Sequence, residues 1–337
     1  MIKYIVRRLL AIVVIMFGVT IVAFVVTRLV PIDPSARFLG EKAASNPVIV
    51  AAFKARWGLD QPLYVQYLVY MKNLLHGDLG VSLTTRQNVL HDLRTYFPAT
   101  IELATAAILI SAILGGLTGI TAAWWRGKWF DSAARAGSLL GVSIPGFWLS
   151  LIVLYIFYYR LGWFPGPGQL SANLEPPPPV TGFMLLDCLI AGDFSLFLNA
   201  LWHLVLPAFV LASFSAGLIA RTSRSSLLEV MQQDYVRTAH AKGMETRNLL
   251  FRHILPNGLI PTVTLLGLAY GTMLGGTVFV ETIFAWPGLG RYAYQASAAL
   301  DFPAIMGVTL LFTLTYALVN LVVDLMYAAL DPRVVYK

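Results

Sequence analysis

Few residues of this sequence have the types and spacing that chemistry requires. The chain has no G-x-x-x-x-G-K-[ST] loop for nucleotide phosphates, no H-E-x-x-H metal helix, no G-x-S-x-G nucleophile and no C-x-x-C pair. Its one cysteine, Cys188, can form no disulfide within the chain and has no metal-ligand companions. The sequence therefore predicts a chain that is not an enzyme, holds no metal or cofactor, and has no site of its own for ATP.

Two ionisable side chains, His203 and Asp324, stand in or at the end of long apolar stretches. Ionisable groups inside a membrane mark ion or proton paths, and a proton-coupled carrier normally needs more than two. We interpret His203 as a hydrogen-bonded packing residue rather than a proton relay. For Asp324, a structural ion pair and a contact with substrate both stay open.

A short polar segment, residues 234–243, has the pattern of a helix with little side-chain bulk. Asp234 is a candidate N-cap, Ala239 and Ala241 are small helix formers, and Gly243 is a natural residue to end the helix. A second helical piece then leads into an apolar stretch. The pattern suits a knob that docks on a soluble partner, and equally an amphipathic connector at a membrane surface.

Long apolar stretches must position these residues. Hydrophobic residues make up 58% of the 337 residues and charged residues 12%, whereas a soluble domain has about 25% charged residues. Lys, Arg, Asp and Glu are absent from six windows: residues 9–27, 103–125, 136–159, 194–220, 254–280 and 302–323. A helix needs about 20 apolar residues to cross a membrane. The sequence therefore predicts an all-α polytopic membrane protein with six transmembrane helices, the first retained rather than cleaved as a signal peptide.

The net charge of the chain is +7, and its basic residues are distributed unevenly among the segments between these windows. With the amino terminus in the cytoplasm, the basic segments 126–135, 221–252 and 333–337 fall on the inner side, whereas the two short outer loops carry only Arg160 and Arg291. Inner loops of membrane proteins are enriched in Lys and Arg. We therefore expect both termini inside, and no nucleic acid as a partner.

Residues 31–97, between the first two windows, are predicted to form a small helical subdomain on the outer face. Ser45 or Asn46 can cap a first helix that runs to Trp57 and that Gly58 closes, and Asp60 caps a second helix that Gly77 ends. The second helix carries an apolar stripe that we expect to be buried against the spans.

Residues 160–197 contain six prolines and are predicted to form a stiff extended loop without helix. Small residues recur at every fourth position on two spans: Gly115 and Gly119 on the second, and Gly267, Gly271 and Gly275 on the fifth. Such faces let helices approach closely in lipid, so we expect both to be packing surfaces, although they also suit helices that slide or rotate.

Residues 234–243 resemble the EAA loop of binding-protein-dependent ABC transporter permeases, in the branch that imports peptides and nickel. The pattern D-Y-V-x-x-A-x-A-K-G is followed at the family's spacing by Leu255-Pro256, whereas Arg237, Thr238 and His253 depart from the commonest residues of the family. The resemblance extends along the chain through six further segments: PIDP (31–34), GLDQPL (58–63), GDLGVS (77–82), HLVLPA (203–208), ETIFAWPGLG (281–290) and DPR (331–333).

The resemblance implies the first permease subunit of a heteromeric importer, with the type I ABC importer fold, in the bacterial inner membrane. The implied partners are a second related permease, two cytoplasmic ATPases that carry ATP and magnesium, a binding protein that delivers substrate, and membrane lipid. The implied divisions are residues 1–30 (tail and first span), 31–97 (periplasmic subdomain), 98–330 (permease core with coupling loop 221–256) and 331–337 (cytoplasmic tail).

The resemblance also implies site residues. Those implied in ATPase coupling are Asp234, Tyr235, Arg237, Ala239, Ala241, Lys242, Gly243, Leu255 and Pro256. Candidates for the pore or its gates are Ser143, Pro145, Trp148, Glu281, Pro287, Asn320 and Asp324. For Glu281 and Pro287, a structural turn is the other interpretation. Short peptides are the first expected substrate, ahead of nickel chelates, glutathione and opine-like or sugar-derived compounds. A secondary, ion-coupled transporter is the alternative, and it would show inverted repeats and ion sites at the midplane.

Overall fold

A computed structural model describes residues 2–29, 46–48, 50–51 and 60–330. Several expectations lie outside these residues: the end of the first outer helix at Trp57 and Gly58, the segments 31–34 and 331–333, and the tail 331–337. Asn46 is described, and its side-chain oxygen accepts a hydrogen bond from the Val48 backbone nitrogen at 3.0 Å, as a cap does.

The described part of the chain is helical, which confirms the all-α prediction there. Its helices are α1 (Ile2–Leu29), α2 (Leu63–Leu75), α3 (Val89–Trp124), α4 (Trp129–Ser143), α5 (Gly146–Val153), α6 (Met184–Ile190), α7 (Phe194–Met231), α8 (Asp234–Ala241), α9 (Thr246–Leu249), α10 (Leu255–Gly258), α11 (Ile260–Gly276), α12 (Val278–Ile283), α13 (Leu289–Ala298) and α14 (Phe302–Leu330). Two wider π-helical turns, Leu154–Arg160 and Leu250–Ile254, follow α5 and α9.

Four helices, α1, α3, α7 and α14, are long and apolar enough to cross a membrane. The windows predicted as the third and fifth spans are not single straight helices, which corrects the prediction. The third is bent by 104° between α4 and α5, and the fifth by 47° between α10 and α11. Each bend lies beside a proline, Pro145 or Pro261. Proline bends a helix because it lacks a backbone N–H and its ring clashes with the preceding turn. The described helices therefore supply four spans, or up to six if each bent pair counts as one.

The chain divides into two compact units, of which the first comprises Met1–Phe97 and Tyr292–Leu314. Here α2 packs on α1, where the Thr20 and Tyr67 hydroxyl groups lie 2.8 Å apart and the Phe24 ring meets the Tyr67 ring edge-on. No residue of α2 is fully buried, so the expectation of a buried apolar stripe is wrong for most of its length. The predicted cap is also wrong, because α2 begins after Pro62 without a side-chain cap. Gly77, with φ +78°, ends the helix as expected.

Two buried carboxylates hold the loop that follows α2 in this first unit. Asp301 accepts hydrogen bonds from the Ser82 hydroxyl at 2.6 Å and from the Thr84 backbone nitrogen at 2.9 Å. Asp92 accepts from the Tyr292 hydroxyl at 2.8 Å. These bonds join the loop and the start of α3 to the α13–α14 region.

The second unit comprises Pro98–Arg291 and Thr315–Lys337, and α7 is its central helix. The predicted glycine faces pack as expected on α3, since a Cβ on Gly115 would stand 2.6 Å from the Ala216 carbonyl oxygen of α7 and one on Gly119 would stand 2.6 Å from the Ser223 Cβ. On α11 the expectation holds for two of the three glycines. Gly267 and Gly271 face Val323 and Tyr316 of α14, whereas Gly275 faces open space.

The segment 160–197 contains a helix, α6, which corrects the prediction of a wholly extended loop. The prolines themselves are not helical, and α6 begins at Met184, five residues after Pro179. Asp187 holds the segment together by accepting hydrogen bonds from the Thr181 backbone nitrogen and hydroxyl, both at 2.7 Å, and from the Gly182 nitrogen at 3.0 Å.

Candidate functional site

Helix α8 is the predicted knob. Gln233, not Asp234, is its N-cap, and no side chain caps the helix, so the expectation for Asp234 is wrong. Asp234 instead occupies the first helical position, where its negative charge interacts favourably with the positive end of the helix dipole. At the other end Lys242 is the C-cap and Gly243 adopts φ +77°. Glycine takes this left-handed conformation without steric cost, and the helix ends there as predicted.

One residue anchors α8 and most of the others are exposed. Val236 is buried in a cluster with Leu227 of α7 and with Leu249 and Ile254 farther along the chain. The exposed residues of the predicted set are Asp234, Tyr235, Arg237, Ala241, Lys242 and Gly243, with Ala239 half-buried. The result is a short helix held by its inner face, whose outer face is polar and carries both signs of charge.

The chain after α8 leads into α11 through a π-helical turn and α10. Pro256 has no backbone N–H, and beside it the Asn257 side-chain amide donates to the His253 carbonyl oxygen at 2.8 Å. Two contacts then join this part to α7. Gly258 lies against Leu227, and the Thr262 and Ser223 hydroxyl groups are 2.9 Å apart. Leu255 is half-buried and Pro256 is exposed.

Glu281 is fully buried at the end of α12. Its carboxylate accepts from the Thr277 hydroxyl at 2.6 Å, the Thr100 hydroxyl at 2.8 Å and the Arg291 backbone nitrogen at 2.9 Å. Thr100 in turn accepts from the Leu289 nitrogen at 2.8 Å. These contacts make Glu281 the centre of the α12–α13 turn, which also contains the half-buried Pro287.

The other pore candidates lie in two further places. Ser143, Pro145 and Trp148 are exposed at the bend between α4 and α5. Asn320 and Asp324 lie one turn apart on α14, both half-buried, and the Asn320 side-chain oxygen is enclosed without a hydrogen-bond partner among the described residues. The bend and the α12–α13 turn are neighbours, because the rings of Phe147 on α5 and Phe279 on α12 are 6.3 Å apart.

His203 is buried on α7, with its Nδ1 atom 2.8 Å from the Asn199 carbonyl oxygen. This contact fits the interpretation of a hydrogen-bonded packing residue. Within residues 60–330 and the shorter described stretches, no group of three or more His, Cys, Asp or Glu residues could hold a metal ion.

An ion pair that sequence reasoning missed joins α4 to α7. The Asp131 carboxylate accepts from Arg224 Nε at 2.5 Å and Nη2 at 2.8 Å, and from the Gly127 backbone nitrogen at 3.0 Å. Asp131 is only 1% exposed. The two residues are 93 positions apart, and the only signal in the sequence is a lone Asp beside an apolar window.

The chain resembles known membrane transport proteins along its whole length. A family model described as "binding-protein-dependent transport system inner membrane component" matches residues 115–336, and a model of the N-terminal part of such components matches residues 1–104. The chain is 45% identical over 328 residues to the probable D,D-dipeptide transport system permease protein DdpB of Escherichia coli K12, covering 97% of this chain and 96% of that protein.

Two more relatives and one solved structure extend the comparison. Identity is 45% over 334 residues to the di/tripeptide transport system permease protein DppB of Pseudomonas aeruginosa, covering 99% of each chain. Identity is 34% over 337 residues to the glutathione transport system permease protein GsiC of Escherichia coli O6:H1, covering 100% of each. An inward-facing structure of the MetNI methionine ABC transporter is similar in fold, with a TM-score of 0.50 and 16% identity over 71% of this chain and 96% of that chain.

Proposed function

Since this chain belongs to the inner membrane components of binding-protein-dependent transport systems, we propose that it forms half of the translocation pore of an ATP-binding-cassette importer of short peptides. The observation that carries the substrate class is its 45% identity, over nearly the full length, to permeases of D,D-dipeptide and di/tripeptide systems. Glutathione, itself a small peptide, is the substrate named for a more distant relative. Nickel chelates and opine-like or sugar-derived compounds rank behind peptides.

The proposed topology has six spans, with both termini in the cytoplasm. The four long helices α1, α3, α7 and α14 each cross once, and the bent pairs α4–α5 and α10–α11 cross as the third and fifth spans. The basic segments 126–135 and 221–252 then face the cytoplasm, as the distribution of Lys and Arg favours. Residues 31–97 would form the periplasmic part that meets the binding protein.

The proposed partners follow from what the chain lacks and what it exposes. ATP and magnesium would bind on two separate ATPases, because this sequence has no phosphate-binding loop. One ATPase would receive α8, whose Val236 is buried while Tyr235, Arg237 and Lys242 are exposed. A second, related permease would complete the pore. Ser143, Pro145 and Trp148 at one bend, and Glu281 with Pro287 in the adjoining turn, are the proposed gate region, with Asn320 and Asp324 on α14 as further pore candidates.

Reconstitution of the whole complex in proteoliposomes tests this function. We expect uptake of a labelled dipeptide to require the binding protein and ATP, and to persist when ionophores collapse the proton and sodium gradients. Uptake that follows an ion gradient without ATP would instead support a secondary transporter, an alternative that the relatives do not favour. Competition by unlabelled tripeptide, glutathione and nickel chelates then ranks the substrate classes.

A further inference from the structure

Helices α4 and α7 lie in close antiparallel contact. A Cβ atom on Gly217 would stand 2.7 Å from the Ser138 carbonyl oxygen, and one on Gly141 would stand 3.0 Å from the Ser213 carbonyl oxygen. Close-packed backbones have discrete arrangements and resist sliding. The two helices are therefore closely packed where Gly141 and Gly217 lie.

The Asp131–Arg224 ion pair lies at the opposite end of α4 from Gly141. Two guanidinium nitrogens meet the two carboxylate oxygens, at 2.5 and 2.8 Å. The planar guanidinium group fixes both the orientation of the carboxylate and its distance when two parallel hydrogen bonds form. Arg135 lies farther from the same carboxylate, at 3.7 Å, and its side chain is 59% exposed. The ion pair thus sets the register of α4 on α7 at a point where the glycine contacts do not reach.

Arg224 lies in the part of α7 that is joined to α8. Its neighbour Ser223 pairs with Thr262 of α11 at 2.9 Å, and Leu227, one turn farther, is buried in the same cluster as Val236 of α8. A displacement of α8 therefore reaches Arg224 through packed residues of a single helix turn. Beyond α4, the chain bends by 104° into α5, where Ser143, Pro145 and Trp148 lie.

We propose that Asp131 and Arg224 are a positioning pair, which makes α4 follow α7 when the ATPases move α8, and so delivers that movement to the bend between α4 and α5. The proposal rests on the proposed function, because it assigns α8 to the ATPases. A buried ion pair adds little net stability compared with apolar residues of the same volume, and its best-attested use is to specify one arrangement. The pair joins α4 to α7 and lies one residue from the Ser223–Thr262 contact of α7 with α11, a position that suits that use.

The test is the number of peptides taken up per ATP hydrolysed by the reconstituted complex. Asp131→Asn keeps the shape of the side chain but removes the charge, and we expect uptake per ATP to fall by about tenfold, a loss typical of allosteric coupling energies, while ATP hydrolysis without the binding protein stays at the wild-type rate. Arg224→Lys keeps the charge but loses the planar guanidinium group, so an intermediate ratio is expected. Arg221→Gln, which removes a positive charge from an exposed position of α7 one turn before Arg224, is the matched control and should keep the wild-type ratio.

Two outcomes would overturn the proposal. One is a wild-type ratio of uptake to hydrolysis in Asp131→Asn. The other is a parallel loss of uptake, hydrolysis and assembled complex in both variants, because the pair would then be needed only for folding. Either outcome leaves the proposed function standing if the wild-type complex imports dipeptide with ATP, whereas a wild-type complex that imports none argues against the function itself.

Discussion

Glu281 accepts a hydrogen bond from the Thr100 hydroxyl group at 2.8 Å, although 181 residues separate them along the chain. The bond joins α12 to α3, close to Pro98, where the second unit begins. Because Glu281 is fully buried, its hydrogen bonds cannot be replaced by water.

The first prediction concerns this contact. Glu281→Gln should lower stability by about 1–3 kcal/mol, since the amide nitrogen cannot accept the hydrogen bond that Arg291 donates and leaves a buried donor unpaired. Thermal unfolding of the purified permease in detergent measures the change. Glu229→Gln, at an exposed position of α7, is the control. An equal effect of the two substitutions would contradict the role of Glu281.

The second prediction separates the glycines of α11. Gly267→Ala places a methyl group into the Val323 side chain, and such overpacking costs about 1–3 kcal/mol. Gly275→Ala has open space and should change the unfolding temperature little, or raise it, because alanine favours the helix. Equal shifts for both substitutions would show that α11 and α14 do not pack through Gly267.

The third prediction concerns α8. Gly243→Asp should abolish ATPase binding while leaving membrane insertion intact, because a side chain disfavours the left-handed backbone and adds a negative charge at the helix end. Retention of the ATPase during purification is the measurement, and a tenfold weaker affinity corresponds to about 1.4 kcal/mol.

Gly192→Asp is the matched control for Gly243→Asp. Gly192 has φ +73° and open space around it, as Gly243 does, but it lies between α6 and α7. Loss of ATPase binding in both variants would reflect general backbone strain, and normal binding and uptake in Gly243→Asp would refute the docking role of α8.

The fourth prediction concerns pH. Burial acts to raise the pKa of Asp187, but hydrogen bonds from Thr181 and Gly182 outweigh it and hold the pKa below its usual value. The stabilisation is therefore complete above the unfolded-state pKa of about 4 and is lost as the pH falls through the folded-state pKa. Asp187→Asn should unfold at a lower temperature than wild type at neutral pH, and this difference should shrink in acid.

The control for Asp187→Asn is Glu175→Gln, an exposed position in the same loop. It should unfold like wild type at neutral pH. A difference between Asp187→Asn and wild type that grows in acid would contradict the sign given above.

The fifth prediction tests which residues face water. Cys188 is the one cysteine and is buried, and burial raises the pKa of its thiol, so the wild-type chain should react slowly with a polar maleimide. Cysteine placed at Ser143 or Asn320 should react if these positions line the pore, and addition of ATP to the complex with its ATPases should change the rate. Cysteine at Val14, an exposed position of the apolar helix α1, is expected to stay unreactive because it faces lipid.

Composition predicted the helices well, but it could not predict their bends. The apolar window 136–159 contains Pro145 without any charge to mark a break, and hydropathy gives the same value to a bent and a straight stretch. The short helix α6 was missed because prolines dominate the segment before it, although they end at Pro179. Hydropathy measures transfer into lipid, whereas the bends depend on backbone hydrogen bonds.

In the candidate site, too, some features could be predicted from the sequence and others could not. The helix over residues 234–241 and its end at Gly243 follow from local sequence, because a left-handed glycine that ends a helix is a local effect, whereas the predicted cap at Asp234 was wrong. The burial of Glu281 and the Asp131–Arg224 pair join residues far apart in sequence, and no local pattern encodes them.

The length of α7 has a mechanical consequence. Its 38 residues span about 57 Å at 1.5 Å per residue, almost twice the hydrocarbon thickness of about 30 Å. In the proposed topology, at least one end of α7 stands well clear of the lipid. If such a rod pivots at its middle, a tilt of about 10° moves each end by about 5 Å, the height of one helical turn. A small rotation about the midpoint of α7 would then displace the end of the helix, where α8 begins, by about the height of one helical turn.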